Sequence, residues 1–193
     1  PLFNATQTKE IIMDIKVLGP GCANCKNTIA LIGDVAKAKG VSNSDITVCL
    51  LERPRHAALI DEIRAAGARI KFIMDGDIAG SITAARPGTG VDLLMGIGGT
   101  PEGIITACAM KCMGGVIQGR LTPKDDDELQ RAIDAGHDLE RVLSTDDLIS
   151  ADDCFFVATG ITDGEIMQGV RYSAGRATTE SSVMRPRPGT IRT

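Results

Sequence analysis

The sequence predicts an α/β fold, with a mainly parallel or mixed sheet flanked by helices, on three observations. From about Asp45 onward, short apolar runs rich in Ile, Val and Leu alternate with helical patterns, as in sheets covered on both faces. Within that alternation, Val91 to Met95 passes through glycines into a helix that opens with Pro101. Ahead of it, residues 11–39 read as one further strand and helix, expected as a βα unit added at a sheet edge, where it would cover exposed backbone.

Taken in order, Ile11 to Leu18 (I-I-M-D-I-K-V-L) reads as a strand, and Asn27 to Lys39 as an amphipathic helix with Ile29, Ile32, Val35 and Ala36 inward. Ile46 to Leu51 is a strand, and the helix after Pro54 turns Leu59, Ile60 and Ile63 to the core. Ala68 to Met74 is the next strand. It ends in Asp75-Gly76-Asp77, and a small-residue helix runs from Ile78 to about Ala84. Val91 to Met95 is a strand, Gly96, Gly98 and Gly99 fill a bend, and a helix continues through Cys112. Gly115 to Leu121 is a strand and Asp125 to Ala135 a polar-faced surface helix. Asp152-Asp153 then introduces a strand from Cys154 to Thr159. In such sheets ligands lie beyond the carboxyl ends of the strands, which puts residues 53–56, 75–77, 98–102 and 160–162 around one pocket.

A chain of 193 residues suits one main domain with a small appendage. The net charge of -4, without a dominant Lys/Arg cluster, argues against nucleic acid; Arg185, Arg187 and Arg192 read as a solvated tail. No run approaches the ~18 apolar residues of a membrane span, so a cytoplasmic protein is expected. With no Trp and one Tyr, packing rests on aliphatic residues and Met. The six cysteines are scattered and read as reduced core residues, with Cys108 and Cys112 four apart on one helix face.

The polar residues at the strand ends each have two readings. Glycines and a helix N-terminus from Gly96 to Gly103 suit an anion, yet Glu102 sits in the same turn. It either complements the helix dipole or joins a phosphate through a divalent cation. Arg55 and His56 are a solvated helix start or a phosphate contact through guanidinium, imidazole and backbone N–H. Asp75 and Asp77 form a capped turn, or contact a metal or sugar hydroxyls.

Together, E-R-P-R-H at 52–56, D-G-D at 75–77, G-I-G-G-T-P-E-G at 96–103 and A-T-G-I-T at 158–162 closely resemble the class II, GlpX-type fructose-1,6-bisphosphatases. The resemblance runs from about Val35 to the C-terminus and includes M-K-C-M-G-G-V-I-Q-G-R-L and the terminal S-S-V-M-R-x-x-x-G-T-I-R. It implies hydrolysis of fructose 1,6-bisphosphate to fructose 6-phosphate in gluconeogenesis, with Mn2+ or Mg2+. It also implies sugar-phosphate contacts from Arg55, His56, Asp75, Gly76, Asp77 and the Gly99 backbone, and a metal ligand in Glu102. The family's G-E-G-E and D-P-[IL]-[DE]-G-T motifs, which supply most metal-binding carboxylates, have no counterpart here. A sugar-phosphate-binding domain, catalytically incomplete in this chain, is therefore expected. Its partners would be a sugar bisphosphate and a second copy or another chain bringing the remaining half.

The front end carries a different signature. G-P-G-C-A-N-C-K between strand and helix places Cys22 and Cys25 as in thioredoxin-type sites, and residues 13–28 resemble small thioredoxin-like redox-active disulfide proteins. The helix dipole and Lys26 would stabilise a Cys22 thiolate, so the alternatives are a thiol-disulfide module or a structural chimera without activity. The expected organisation is a tail over 1–10, a thioredoxin-like βα segment over 11–40 and a bisphosphatase-type C-terminal domain over 41–193. Pro1 to Glu10, lacking an initiator Met, reads as a tail or a remnant of a preceding segment.

Overall fold

A computed structural model of the protein describes residues 12–18, 28–186 and 190–192. The main sheet contains β1 (Ile12–Leu18), β2 (Thr47–Leu51), β3 (Arg69–Ile73), β4 (Leu93–Gly99), β5 (Val116–Leu121) and β6 (Leu143–Ser144), in the order β3-β2-β4-β1-β5-β6. β2 is parallel to β3 and β4, whereas β1 is antiparallel to both β4 and β5, and β6 to β5. Four strands thus share one direction, and their carboxyl ends share one side of the sheet.

Helices cover both faces, giving the expected mixed α/β architecture: α1 (Thr28–Lys39), α2 (Ala57–Ala65), α3 (Asp77–Ala85), α4 (Thr100–Met113), α5 (Asp126–Asp134) and the single turn α6 (Thr145–Leu148). The two-residue period of a strand sorts its side chains between two cores. Val48 and Leu50 of β2 and Leu93 and Met95 of β4 pack with Leu31, Ile32, Val35 and Ala36 of α1 and Ile63 of α2. Cys49, Leu51 and Leu94 face the other way, into a core shared with Ile82 of α3 and Ala107 and Met110 of α4. None of the helices is long and apolar enough to cross a membrane, among the described residues.

The structure corrects four sequence expectations. The N-terminal strand is not at a sheet edge: β1 runs between β4 and β5. There it satisfies backbone groups on both of its sides, which an edge position cannot do. In α1, Ile29 is half exposed and Leu31 takes the inward position, so the buried stripe falls on 31, 32, 35 and 36. Gly96, Gly98 and Gly99 do not fill a bend but extend β4, paired residue for residue with Ile15, Met13 and Ile12, and the strand passes directly into α4. Finally, the strand expected from Cys154 to Thr159 exists as β7 (Phe156–Thr159), but outside the main sheet. A hairpin, β8 (Arg171–Ser173) and β9 (Arg176–Thr178), stands apart, while β7 pairs with β10 (Ser181–Arg185), which pairs with β11 (Thr190–Arg192). Phe156 and Met184 anchor this second sheet on the α4 side of the core.

Asp92 sets the start of β4 against β2. Its N–H donates to the Thr47 carbonyl at 2.9 Å, the Thr47 N–H donates to its carboxylate at 2.7 Å, and Lys39 at the end of α1 pairs with the same carboxylate. Asp92→Ala removes the charged acceptor of a half-buried N–H and should cost ~1–3 kcal/mol of unfolding free energy in urea titration. Lys39→Ala, with a half-exposed amine, should cost less than about 1 kcal/mol.

Candidate functional site

The carboxyl ends of β2, β3 and β4 carry three of the four segments singled out from the sequence. β2 ends at Leu51 and a single 3-10 turn, Pro54–His56, leads into α2; Pro54 supplies a φ already suited to that turn. Arg53 donates to the Met74 carbonyl at 2.7 Å and so ties this turn to the end of β3. Arg55 is exposed, and its Nε donates to the Ile97 carbonyl at 2.7 Å, which lays the guanidinium along the end of β4.

His56 turns inward and is buried. Nδ1 lies 2.8 Å from the Leu51 carbonyl, and the Ile97 N–H donates to Nε2 at 2.9 Å. With the Ile97 N–H as donor, Nε2 accepts and Nδ1 faces the Leu51 carbonyl; Nε2 also lies 3.3 Å from the Ile97 carbonyl. Gly96 permits the approach, since a Cβ there would stand 3.3 Å from the ring carbon Cε1. Both imidazole nitrogens are therefore engaged by backbone, and the position reads as a link between strands.

After β3, Gly76 adopts the left-handed conformation (φ 89°, ψ 57°) as N-cap of α3, a shape that costs glycine little. Exposed Asp75 accepts from the Gly76 N–H at 2.9 Å, and half-buried Asp77 is the first residue of the helix. Gly99 is the N-cap of α4 without a side-chain cap, Pro101 has no N–H to offer, and exposed Glu102 occupies the first turn. Burial pushes the Asp77 carboxyl above its ordinary range; Arg55 opposes this while Glu102 and Asp75 add to it. Arg55, Asp75 and Glu102 thus each lie within electrostatic reach of Asp77. A small cavity beneath them is bordered by His56, Asp77, Ser81, Gly96, Gly98 and Thr106.

The fourth segment falls elsewhere. Residues 160–162 follow β7 in the second sheet, with the Gly160 N–H bonded to the Glu180 carbonyl. Its loop returns to the main sheet through the Lys71–Glu165 ion pair beside β3 and through Ile166, which packs against the core. Cys22 and Cys25 lie outside the described residues. Among the described residues, Asp75, Asp77 and Glu102 do not bring three ligand atoms into one tight group; the set that does is Cys108, Cys112 and Cys154. Sequence reasoning placed the first two on one helix face and missed Cys154, which is 42 residues from Cys112 and gives no local signal.

Oxygen donors and one cation at the strand ends, beside the N-termini of two helices, define an α/β domain suited to an anionic ligand and a hard cation. The chain matches the family "Bacterial fructose-1,6-bisphosphatase, glpX-encoded" over residues 11–193 and belongs to it. It is 39% identical over 171 residues to "Fructose-1,6-bisphosphatase class 2" of Haemophilus influenzae, covering 82% of this chain and 51% of that protein. It is 41% identical over 162 residues to "D-fructose 1,6-bisphosphatase class 2/sedoheptulose 1,7-bisphosphatase" from each of two Synechococcus strains, covering 77% of this chain and 47% of each relative. The chain therefore spans about half the length of the curated relatives it matches. The match begins at residue 11, and so takes in the segment that resembles a thioredoxin-like start.

His56→Ala should lower stability by ~2–4 kcal/mol, because it strands a carbonyl and an N–H at the β2–β4 junction, whereas Arg55→Ala should stay within about 1 kcal/mol. Urea midpoints of the two variants check the contrast. Asp77 should make stability pH-dependent with a defined sign. A carboxyl raised in the folded state favours folding at acid pH relative to neutral pH, and that advantage is lost as pH rises from 3.8 through the folded pKa. Asp77→Asn should flatten this part of the stability profile of the metal-free chain.

Proposed function

We propose that this chain forms the sugar-phosphate-binding part of a class II fructose-1,6-bisphosphatase, which hydrolyses fructose 1,6-bisphosphate to fructose 6-phosphate. The convergence of Arg55, Asp75, Asp77 and Glu102 at the carboxyl ends of β2 to β4 carries the reading. Arg55 offers a charge-assisted fork to a phosphate, and the N-terminus of α4, whose N-cap Gly99 makes no side-chain cap, turns its positive dipole end the same way. Asp75 and Asp77, held apart by Gly76, are acceptors for sugar hydroxyls. Glu102, with Asp77 near it, is a donor for Mn2+ or Mg2+, and such an ion would supply charge neutralisation and an activated water.

Two carboxylates do not complete a centre of that kind, so the remaining ligands come from the part of the family that this chain does not span, or from a partner chain. Val157 and Val183, opposed in register and exposed on the second sheet, give an apolar surface for that packing. His56, expected by resemblance to contact the sugar bisphosphate, borders the cavity beside Asp77, and through Ile97 it also positions the backbone on which Arg55 rests.

Calorimetric titration with fructose 1,6-bisphosphate tests the proposal. Binding should be weak and should tighten when Mn2+ is present, with phosphate release near the detection limit for this chain alone. Glu102→Gln should abolish the Mn2+-dependent gain, and Arg55→Ala should weaken binding about ten- to a hundredfold, the range of a charge-assisted contact. A normal enzymatic rate from this chain, or no binding under either condition, would overturn it.

A further inference from the structure

Toward the far end of α4, about 9 to 15 Å along its axis from Glu102 at 1.5 Å per residue, three sulfurs converge. Cys108 and Cys112 stand four residues apart and so project from one face of the helix. Cys154, just ahead of β7, meets them there, and the three Sγ atoms all lie within 4.8 Å of one another. Cys112 is buried, while Cys108 and Cys154 are half-buried and leave an approach from solvent. The Cys108 thiol points at the Phe155 carbonyl, 3.3 Å away.

Distance separates the possible chemistries of this cluster. A disulfide needs sulfurs about 2.05 Å apart, and Cys112 and Cys154 are 3.7 Å apart. A zinc ion with bonds of about 2.3 Å in tetrahedral geometry sets its sulfurs about 3.8 Å apart. That pair thus already has the spacing of two ligands of one ion. The donor set is sulfur alone, which selects a thiophilic cation over magnesium, manganese or calcium.

We propose that Cys108, Cys112 and Cys154 form a three-thiolate site for zinc(II) or a cation of the same soft class, with the fourth position taken by water or an external ligand. The site is independent of the sugar-phosphate reading at the opposite end of α4. Each thiol gives up its proton to bind, so uptake of one ion releases up to three protons to solvent, and no electron is transferred. Burial, together with the neighbouring thiols, raises the Cys108 and Cys112 thiols above their ordinary range. Cys108 and Cys112 are therefore held as neutral thiols in the metal-free chain.

Cobalt(II) titration of the reduced, metal-stripped chain tests the proposal, because cobalt bound by thiolates gains charge-transfer absorption that hydrated cobalt lacks. One cobalt per chain should bind, zinc should displace it, and Cys154→Ser should weaken uptake at least tenfold. The Cys22→Ser/Cys25→Ser double variant should bind as the parent does, which separates this cluster from the other cysteine pair. No charge-transfer band in the parent, a Cys154→Ser variant that takes up cobalt as tightly and with the same band as the parent, or a band lost only in the double variant would overturn the site. Should Cys154→Ser fail to fold, alkylation of the parent mapped by peptide mass decides. Zinc should slow modification of Cys108, Cys112 and Cys154 together, and unchanged rates would overturn the assignment.

Discussion

The site depends on the place where β2 and β4 stop pairing. These parallel strands share a ladder only at Val48–Leu93 and Cys49–Leu94. Beyond it they separate, and His56 spans the gap by contacting the Leu51 carbonyl with one ring nitrogen and the Ile97 N–H with the other. A buried backbone group without a partner is costly, so an imidazole that serves one group on each strand lets the sheet open without that penalty. The opening is where the turn after β2 can lay Arg55 across the end of β4. Gly96 belongs to the same device, since a side chain there would crowd the ring.

This constraint explains why the glycines of β4 play a different part from the one their pattern suggests. Four glycines and turn-forming neighbours between Gly96 and Gly103 look like a loop wrapped round a phosphate. In the fold, one side of that stretch is occupied by β1 and the other by His56. What faces outward for a ligand is only the end of the run, where Gly99 caps α4. The local sequence cannot distinguish these roles, because the partner that turns the glycines into a strand is β1, some eighty residues earlier.

The same division between local and long-range information accounts for what was legible elsewhere. The strand and helix positions from Thr47 to Asp134 follow from neighbouring residues, and β2 and α2 bury the face their own pattern marks, whereas α4 leaves Ile104 and Ile105 exposed and α5 leaves Leu129 and Ile133 exposed. Arg55, Asp75, Asp77 and Glu102 were identifiable as strand-end residues, since parallel strands bring their carboxyl ends together whatever the order of the strands. Strand order itself was not legible. The insertion of β1 at the centre and the removal of β7 to a second sheet both rest on contacts between distant segments. Cys154 was lost for that reason too: the helix advertised Cys108 and Cys112, and nothing near Cys154 advertised the helix.

Charge gives the strand-end site its logic. Asp75, Asp77 and Glu102 bring three potential negative charges and Arg55 one positive charge, a balance of -2 when all are ionised. A phosphate carrying two negative charges would meet that balance unfavourably. One unit pair at about 5 Å and an effective dielectric of 20 is worth about 3 kcal/mol. Arg55 alone cannot reverse the sign: burial pushes the Asp77 carboxyl up, and Glu102 and Asp75 add to the shift that Arg55 opposes. Two outcomes relieve the conflict. Protonation of Asp77 removes one charge and one acceptor, which weakens the site for sugar hydroxyls as well as for cations. A divalent cation, as in the proposed function, would bring the balance from -2 to zero with every carboxylate ionised, and would so prepare the site for an anion and hold Asp77 in its accepting form. On the proposed function, anion and cation binding would be coupled: a phosphate beside Arg55 would improve the field at Glu102 for a cation, and the cation would do the same for the phosphate.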